Sequence, residues 1–213
     1  MYMPPAFRQQ ERSAIVTAIQ ACHLANLVTA TADGPMASPL PFLYDPDEGE
    51  FGTLYAHLAR ANPQWKAAPF GDALVIFMGP DAYVSPSYYP SKAEHGKVVP
   101  TWNYVSIHAL GPVEFFEDRD RLHAVVERLT AHHEAVREKA WQVSDAPEDY
   151  IASQLKGIVG VRIEVRALEG KWKMSQNRND ADKAGVKVGL ATSEDPMENQ
   201  VSRMIPVTNE PGA

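Results

Sequence analysis

Short runs of alternating apolar and polar residues, separated by turn residues, fill most of the first half of the chain. The run ANLVTATADGPMASPLPFLYD predicts two strands joined at Asp33-Gly34, because Asp-Gly between alternating residues is a strong hairpin signal. Further strand-like runs are EGEFGTLYAHLA, ALVIFMG, DAYVSPSYY and TWNYVSIHALGPVEFF, the last with a kink at Gly111-Pro112. Many short antiparallel strands favour closure into a barrel or a sandwich, since closure removes exposed strand edges.

The pattern changes to helix in the second half of the chain. In DRDRLHAVVERL, the apolar residues fall on one face of an amphipathic helix: Leu122, Val125, Val126 and Leu129. A second helix, EDYIASQLKGIV, follows, and GVRIEVRALEGKWKMSQN then returns to strand. We expect one barrel domain over residues 1–190 with a helical insert at about 118–158, followed by a loosely ordered tail over 191–213.

Composition excludes several classes of protein. The 213 residues are 45% hydrophobic and 22% charged, which is ordinary for a globular chain, and no apolar run approaches the roughly 20 residues that span a bilayer. A single cysteine, Cys22, excludes an internal disulfide framework and fits a reducing compartment, so a cytoplasmic protein is expected. The net charge of −7 does not support DNA binding through the bulk surface, although a local basic patch leaves a DNA partner possible.

Two strand ends carry cations and amides in patterns that suit an anion. The first, AHLARANPQWK, contains His57, Arg60 and Asn62, and a guanidinium beside free backbone N–H groups favours phosphate. The second, GKWKMSQNR, sets several cations and amides beside an indole ring. Both patterns have a structural alternative: a surface strand end plugged by Trp65 in the first, and a lysine-protected edge strand in the second.

A third candidate lies in YPSKAEHGKVVPTWNY. Lys92 and His95 belong to a charged group that suits acid–base chemistry, but such a group is more often a solvated loop. Trp102 and Tyr104 fall on one side of a predicted strand and Asn103 on the other, which suits either a wall beside a flat ligand or a core.

Metal and nucleotide motifs are absent from the sequence. Adjacent His132 and His133 diverge by about 100° around a helix axis, and the second histidine that a zincin helix requires four residues on is missing. No P-loop, G-x-S-x-G elbow or dinucleotide fingerprint occurs either. We therefore assign no metal ligand and no catalytic residue.

Three long motifs carry a resemblance to a known family. HLARANPQW, LVIFMGPDAYVSPSYYPSKAEHGKVVPTWNY and LEGKWKMSQNR resemble the PaiB-type, FMN-binding negative transcriptional regulators, from MYMPPAF to about Leu190. The resemblance implies an antiparallel split β-barrel with helices (α+β), related to the pyridoxamine-phosphate-oxidase-like flavoproteins. It also implies a cytoplasmic bacterial homodimer with FMN in the clefts between subunits, linked to repression of sporulation and protease genes.

The resemblance assigns roles to residues by motif order. Arg60 falls where related barrels place a phosphate-binding basic residue, although Ala61 replaces the second cation of the usual Arg-Lys pair. Trp172 and Arg178 resemble the Trp and Arg of the late strand in the oxidase branch. The predicted FMN contacts are His57, Arg60, Asn62, Lys92, Trp102, Asn103, Trp172, Lys173, Ser175, Gln176, Asn177 and Arg178.

Three functions fit this pattern. A dimeric FMN-binding regulator is the first, because its motifs are specific. A flavin-dependent oxidoreductase acting on a small molecule is the second, with His57, His95 and the lysines as acid–base groups. Haem binding is the third, supported only by the histidines, since split-barrel relatives include haem-degrading proteins.

Overall fold

Ten strands and six α-helices build the part of the chain described by this computed structural model, residues 1–207. The strands are β1 (Arg8–Gln9), β2 (Ala25–Thr31), β3 (Gly34–Leu40), β4 (Leu43–Asp45), β5 (Thr53–Ala59), β6 (Ala73–Val84), β7 (Thr101–Gly111), β8 (Val113–Phe116), β9 (Ile158–Glu164) and β10 (Ala167–Lys173). The helices are α1 (Arg12–Ala21), α2 (Ser91–His95), α3 (Arg119–Glu134), α4 (Glu148–Leu155), α5 (Asp180–Ala191) and α6 (Pro196–Met204). Short 3-10 helices cover Pro5–Phe7, Pro63–Trp65, Pro86–Tyr88 and Val143–Asp145.

The contacts within the chain define two compact units. Unit 1 consists of Met1–Ile15, Met78–Ile107 and the described residues from Glu169 onward. Unit 2 consists of Val16–Phe77 and His108–Leu168. Both unit boundaries in the middle of the chain fall inside strands, so β6 and β7 each begin in one unit and end in the other.

Unit 2 contains the predicted hairpin and a second antiparallel sheet. Strands β2 and β3 pair around the Asp33-Gly34 turn, with Thr31 opposite Gly34, and β2 also pairs with the first half of β6. The second sheet has the order β4-β5-β9-β8. Helix α3 buries the apolar face that the sequence predicts, and its residues Leu122, Val125 and Leu129 pack with Phe116 and Leu155.

Unit 1 is built around the strand order β1-β10-β7-β6. Its core combines residues of these strands with the two C-terminal helices, and its buried members are Ala82, Val84, Tyr89, Val105, Met174, Val186, Leu190, Val201 and Ile205. Helix α5 lies directly against the 3-10 turn Pro86–Tyr88: a Cβ added at Gly185 would stand 2.1 Å from the carbonyl oxygen of Tyr88. Glycine at that position therefore permits contact between two backbones.

The structure differs from the predicted strand boundaries in two places. ALVIFMG and the first four residues of DAYVSPSYY form the single strand β6, and the 3-10 turn Pro86–Tyr88 follows it. Strand β2 pairs only with the β6 residues from Leu74 to Phe77, so the missing N–H of Pro80 breaks no hydrogen bond to β2. The predicted strand GVRIEVRALEGKWKMSQN is two strands, β9 and β10, that belong to different sheets.

The predicted loose tail over 191–213 needs correction between residues 196 and 204. Helix α6 forms there, with the carboxylate of Asp195 accepting a 2.8 Å hydrogen bond from the backbone N–H of Met197. Val201 is fully buried in the core of unit 1, and this burial holds the helix in place. Residues 208–213 of the predicted tail lie outside the described residues.

Candidate functional site

Three cations of unit 1 influence one another electrostatically, and we refer to Lys171, Lys173 and Arg178 as the cationic cluster. Two of them, Lys171 and Arg178, lie beside aromatic rings. The ammonium group of Lys171 lies 5.6 Å from the ring centroid of Tyr2 and 5.3 Å from that of Tyr104, and only 8% of this lysine is exposed. The guanidinium carbon of Arg178 lies 4.8 Å from the ring centroid of Tyr89. Within residues 1–207, none of the three cations forms an ion pair with a carboxylate.

Lys173 shows the electrostatic effect of this arrangement. Its Nζ donates a 2.6 Å hydrogen bond to Oγ1 of Thr101 and a second bond to the carbonyl oxygen of Trp102. Burial lowers the pKa of Lys173, and the positive charges of Lys171 and Arg178 lower it further. A site in which cations repel one another, and in which no carboxylate forms an ion pair with them within the described chain, favours the binding of an anion.

The polar run after β10 divides into structural and available donors. Ser175 is buried in a left-handed backbone conformation (φ 61°), and its hydroxyl exchanges hydrogen bonds with the side chain of Asn103. Gln176 accepts from the backbone N–H of Met174 and donates to the carbonyl oxygen of Trp172, both at 2.6 Å, which closes the turn. Asn177 is exposed, so its amide is free to meet a ligand.

The segment that contains Lys92 is a short helix rather than the predicted loop. Gly96 ends α2 in a left-handed conformation (φ 66°), and the hydroxyl of Ser91 donates a 2.8 Å hydrogen bond to Asp182. Lys92 itself is exposed on this helix.

The alternation of β7 separates two further predicted contacts. Asn103 is fully buried, whereas Trp102 is 53% exposed. The indole ring of Trp102 forms an edge-to-face pair with Tyr83, with 5.8 Å between ring centroids. Trp172 is half-buried and packs against the core of unit 1.

The predicted contacts His57, Arg60 and Asn62 belong to unit 2, where each has its own local environment. Nε of Arg60 donates a 2.6 Å hydrogen bond to the carbonyl oxygen of Lys156, and its guanidinium also pairs with Glu117. The side chain of Asn62 accepts from the backbone N–H of Gln64, which caps the 3-10 turn Pro63–Trp65. Most donors of Arg60 are therefore already engaged within unit 2.

His57 is largely buried on β5. Its Nδ1 is shielded from solvent and meets no hydrogen-bond partner among the described residues. Burial lowers the pKa of His57 below its ordinary value, so the neutral imidazole is favoured.

The remaining predicted contacts, from Lys92 to Arg178, lie in unit 1, and the contact of both groups with one flavin stays a prediction. Sequence reasoning did not select Lys171 as a contact, although its alternation with Lys173 along β10 was visible. Tyr2 and Tyr89 were also missed. Tyr2 is distant from β10 along the chain, and no local sequence pattern predicts its contact with Lys171.

Cations without an ion-pair partner, set beside aromatic rings, suit a phosphorylated aromatic cofactor. The family described as "Putative FMN-binding domain" matches residues 1–167, and the chain belongs to this family. FMN is accordingly its cofactor. The chain is also similar to the protease synthase and sporulation protein PAI 2 of Bacillus subtilis (strain 168), at 31% identity over 206 residues that cover 96% of each chain.

Solved structures share the fold at low sequence identity. The flavocytochrome Anf3 from Azotobacter vinelandii matches with a TM-score of 0.55 and 14% identity, over 78% of this chain and 69% of that one. The FAD and haem binding protein from Mycobacterium smegmatis matches with a TM-score of 0.54 and 16% identity, over 78% and 73% of the two chains. These likenesses confirm the predicted fold class, an antiparallel split barrel with helices. Among residues 1–207, no helix is both long and apolar enough to cross a membrane.

Proposed function

We propose that this protein is an FMN-binding regulatory protein that works as a homodimer, with the cationic cluster holding the flavin phosphate. The observation that carries the proposal is the lack of a carboxylate partner for Lys171, Lys173 and Arg178 within the described chain. The FMN phosphate carries two negative charges, and its isoalloxazine is a flat ring. The cations of unit 1 suit the phosphate, and the aromatic rings of unit 1 suit the isoalloxazine.

Exposed aromatic surface supports the homodimer. Trp102 and Tyr83 expose 53% and 43% of their surface as one packed pair, and aromatic side chains are enriched in the buried centres of interfaces. The carbonyl of Trp102 is bound to Lys173, so this pair adjoins the cationic cluster. A second copy that covered the pair would therefore also shield the flavin phosphate from water.

The regulatory role is supported by the similarity to PAI 2, whose name ties that protein to protease synthesis and sporulation. With a net charge of −7, the bulk surface of the protein does not favour contact with DNA. Regulation is therefore expected to act through a protein partner, or through a small basic patch of this protein that contacts DNA. Bound FMN supplies redox chemistry, so a flavin-dependent oxidoreductase is the second candidate function.

A comparison of FMN with riboflavin tests the site, because riboflavin lacks the phosphate. Both flavins are titrated into the apoprotein and followed by fluorescence quenching. We expect the wild type to prefer FMN, and Lys173→Met and Arg178→Gln each to weaken FMN at least about tenfold while riboflavin changes little. Lys139→Met, an exposed lysine of unit 2, is the matched control. An unchanged preference for FMN in both variants would refute the assignment of the phosphate to the cationic cluster.

Light scattering after size-exclusion chromatography tests the homodimer. We expect a dimer in the wild type and a shift towards monomer in Trp102→Ser, because the substitution removes exposed aromatic surface. Trp141→Ser, at an exposed tryptophan of unit 2, is the control. A monomeric wild type, or a dimer equally stable in Trp102→Ser, contradicts this part of the proposal.

Two assays separate the functions. Binding of a promoter fragment that weakens steeply with salt indicates direct DNA contact, and no binding at low salt indicates regulation through another protein. Reduction of bound FMN by a nicotinamide donor faster than free FMN favours the oxidoreductase. The absorption spectrum that follows the reduction of FMN would also show bound haem by its Soret band.

A further inference from the structure

Three arginines of unit 2 converge on one surface cleft of about 350 Å³. We call it the arginine cleft, and its lining residues are Tyr55, Phe116, Arg121, Ala124, Val125, Arg128 and Arg162. Its volume falls at the lower end of the range of small-molecule sites. All of its residues belong to unit 2.

The helical wall of the cleft follows from the spacing of α3. Arg121 and Arg128 are seven residues apart, which is about two turns, so they share one face of the helix. Ala124 lies between them on that face, three residues after Arg121. Its methyl group leaves the space over the helix open, and the buried side chain of Val125 adds apolar surface.

The sheet wall depends on strand register. Tyr55 of β5 lies opposite Arg162 of β9, and Phe116 of β8 lies opposite Gly160 of β9. A Cβ at Gly160 would stand 2.2 Å from the ring of Phe116, so glycine lets this ring lie on the strand. Two aromatic rings and a guanidinium group thus project from three neighbouring strands.

The rings and the helical arginines are in direct contact. The guanidinium carbon of Arg121 lies 4.0 Å from the ring centroid of Phe116, and that of Arg128 lies 5.5 Å from the ring centroid of Tyr55. Stacking on an aromatic face leaves the N–H groups at the edge of a guanidinium free to bind an oxyanion.

Each arginine also has a carboxylate partner, but none of these carboxylates lines the cleft. The ion pairs are Arg121 with Glu114 at 2.7 Å, Arg128 with Asp45 at 2.8 Å, and Arg162 with Glu48 at 2.7 Å and with Glu164 at 3.5 Å. For Arg121 and Arg128, the pair uses a single nitrogen of a group that carries five N–H donors. The carboxylates therefore fix the positions of the guanidinium groups and leave donors available.

We propose that the arginine cleft binds a small organic oxyanion, with a carboxylate or phosphate group shared among Arg121, Arg128 and Arg162 and an apolar body over Ala124 and Val125. Each arginine could form its surface ion pair without lining a common cleft. Ion pairing alone therefore does not explain why the three arginines line the same cleft. The apolar surface between the cations selects an organic anion over an inorganic one. This site is composed of residues that the flavin proposal does not use.

The test uses benzoate as the probe, with the full chain and FMN in excess so that any flavin site is occupied. Benzoate is titrated calorimetrically into the wild type and into Ala124→Phe, which fills the cleft at an exposed position without changing any charge. Arg128→Gln removes one cation, and Arg137→Gln is the matched control on the same stretch of chain, outside the cleft. Thermal unfolding of each variant verifies that it is folded.

We expect saturable binding of benzoate to the wild type and to Arg137→Gln. Binding should be lost in Ala124→Phe and weakened about tenfold or more in Arg128→Gln. Inorganic phosphate, titrated in parallel, should bind more weakly than benzoate because it has no apolar body. The absence of saturable benzoate binding, or equal affinity in Ala124→Phe, overturns the proposal. Equal affinity for phosphate and benzoate overturns the part that assigns an apolar body to the ligand.

Discussion

The side chains of Asn103 and Ser175 share two hydrogen bonds in the buried interior of unit 1. Nδ2 of Asn103 donates to Oγ of Ser175 at 3.0 Å, and the same hydroxyl donates to Oδ1 of Asn103 at 3.2 Å. These hydrogen bonds connect β7 to the turn after β10. Both residues belong to motifs from which the sequence predicts ligand contacts. Their first role is therefore to hold the strand ends from which the cations project.

Asn103→Ala should destabilise the protein by about 1–3 kcal/mol, because the hydroxyl of Ser175 loses its partner in a buried position. Urea unfolding of the variant and the wild type measures this difference. Asn177→Ala, at an exposed asparagine of the same region, should stay within about 0.5 kcal/mol of the wild type. A loss of similar size in both variants would contradict the role of the buried pair.

Gln64→Leu should lower the free energy of unfolding by at least about 2 kcal/mol, since the side chain of Gln64 is buried and both its amide nitrogen and its amide oxygen form hydrogen bonds. Its Nε2 donates to the carbonyl oxygen of Leu27 and to Oγ1 of Thr29, and its Oε1 accepts a 2.6 Å bond from Ser38. The leucine has a similar volume but satisfies none of these groups.

Gln20→Leu, on the exposed face of α1, is the control for that substitution, and both are compared by urea unfolding. If the two leucine variants were equally stable, the hydrogen bonds of Gln64 would contribute nothing net.

His57 should make stability depend on pH below its ordinary pKa of about 6.5. Burial lowers the pKa of His57 in the folded state, so on acidification the unfolded chain takes up a proton that the folded chain resists. The free energy of unfolding should therefore fall as pH falls from 6.5 towards the folded pKa. Well above pH 6.5 the imidazole is neutral in both states and this effect is absent.

Unfolding measured at pH 7.5 and at pH 5.5 checks this dependence. The difference between the two pH values should be smaller in His57→Phe than in the wild type. Asn177→Ala, at an exposed residue that does not titrate, should keep the full difference. An identical pH dependence in His57→Phe and the wild type would show that His57 does not contribute.

Ile205→Ala should cost about 2 kcal/mol or more, because Ile205 is buried among the residues of α5 and α6. Met197→Ala, at a half-exposed position at the start of α6, should cost much less. Thermal unfolding compares the two. Equal unfolding temperatures would mean that α6 is not part of the cooperative core.

Local patterns in the sequence were sufficient for most of the fold. The hairpin at Asp33-Gly34 and the apolar face of α3 depend on neighbouring residues, and both occur as predicted. Helix α6 was missed because its nine residues are mostly polar, and its stability comes from Val201 and the unit 1 core rather than from its own pattern. Tertiary contacts of this kind leave little trace in a short sequence window.

The candidate site was less accessible to sequence reasoning. The family motifs pointed to the Lys173–Arg178 region, but motif order did not separate the cations from the residues that support them. The contact of Lys171 with Tyr2 joins positions far apart in the chain, and only the folded structure brings them together. The arginine cleft depends on strand register between β5, β8 and β9, which no single motif contains.

The core of unit 1 has a practical consequence for any shortened version of the protein. The family match ends at residue 167, just where β10 begins, whereas Met174, Val186 and Val201 complete that core. A fragment cut at the shared boundary would expose the apolar surface of β6 and β7 and would discard all three members of the cationic cluster. The residues that match the family are thus fewer than those that form the complete core of unit 1.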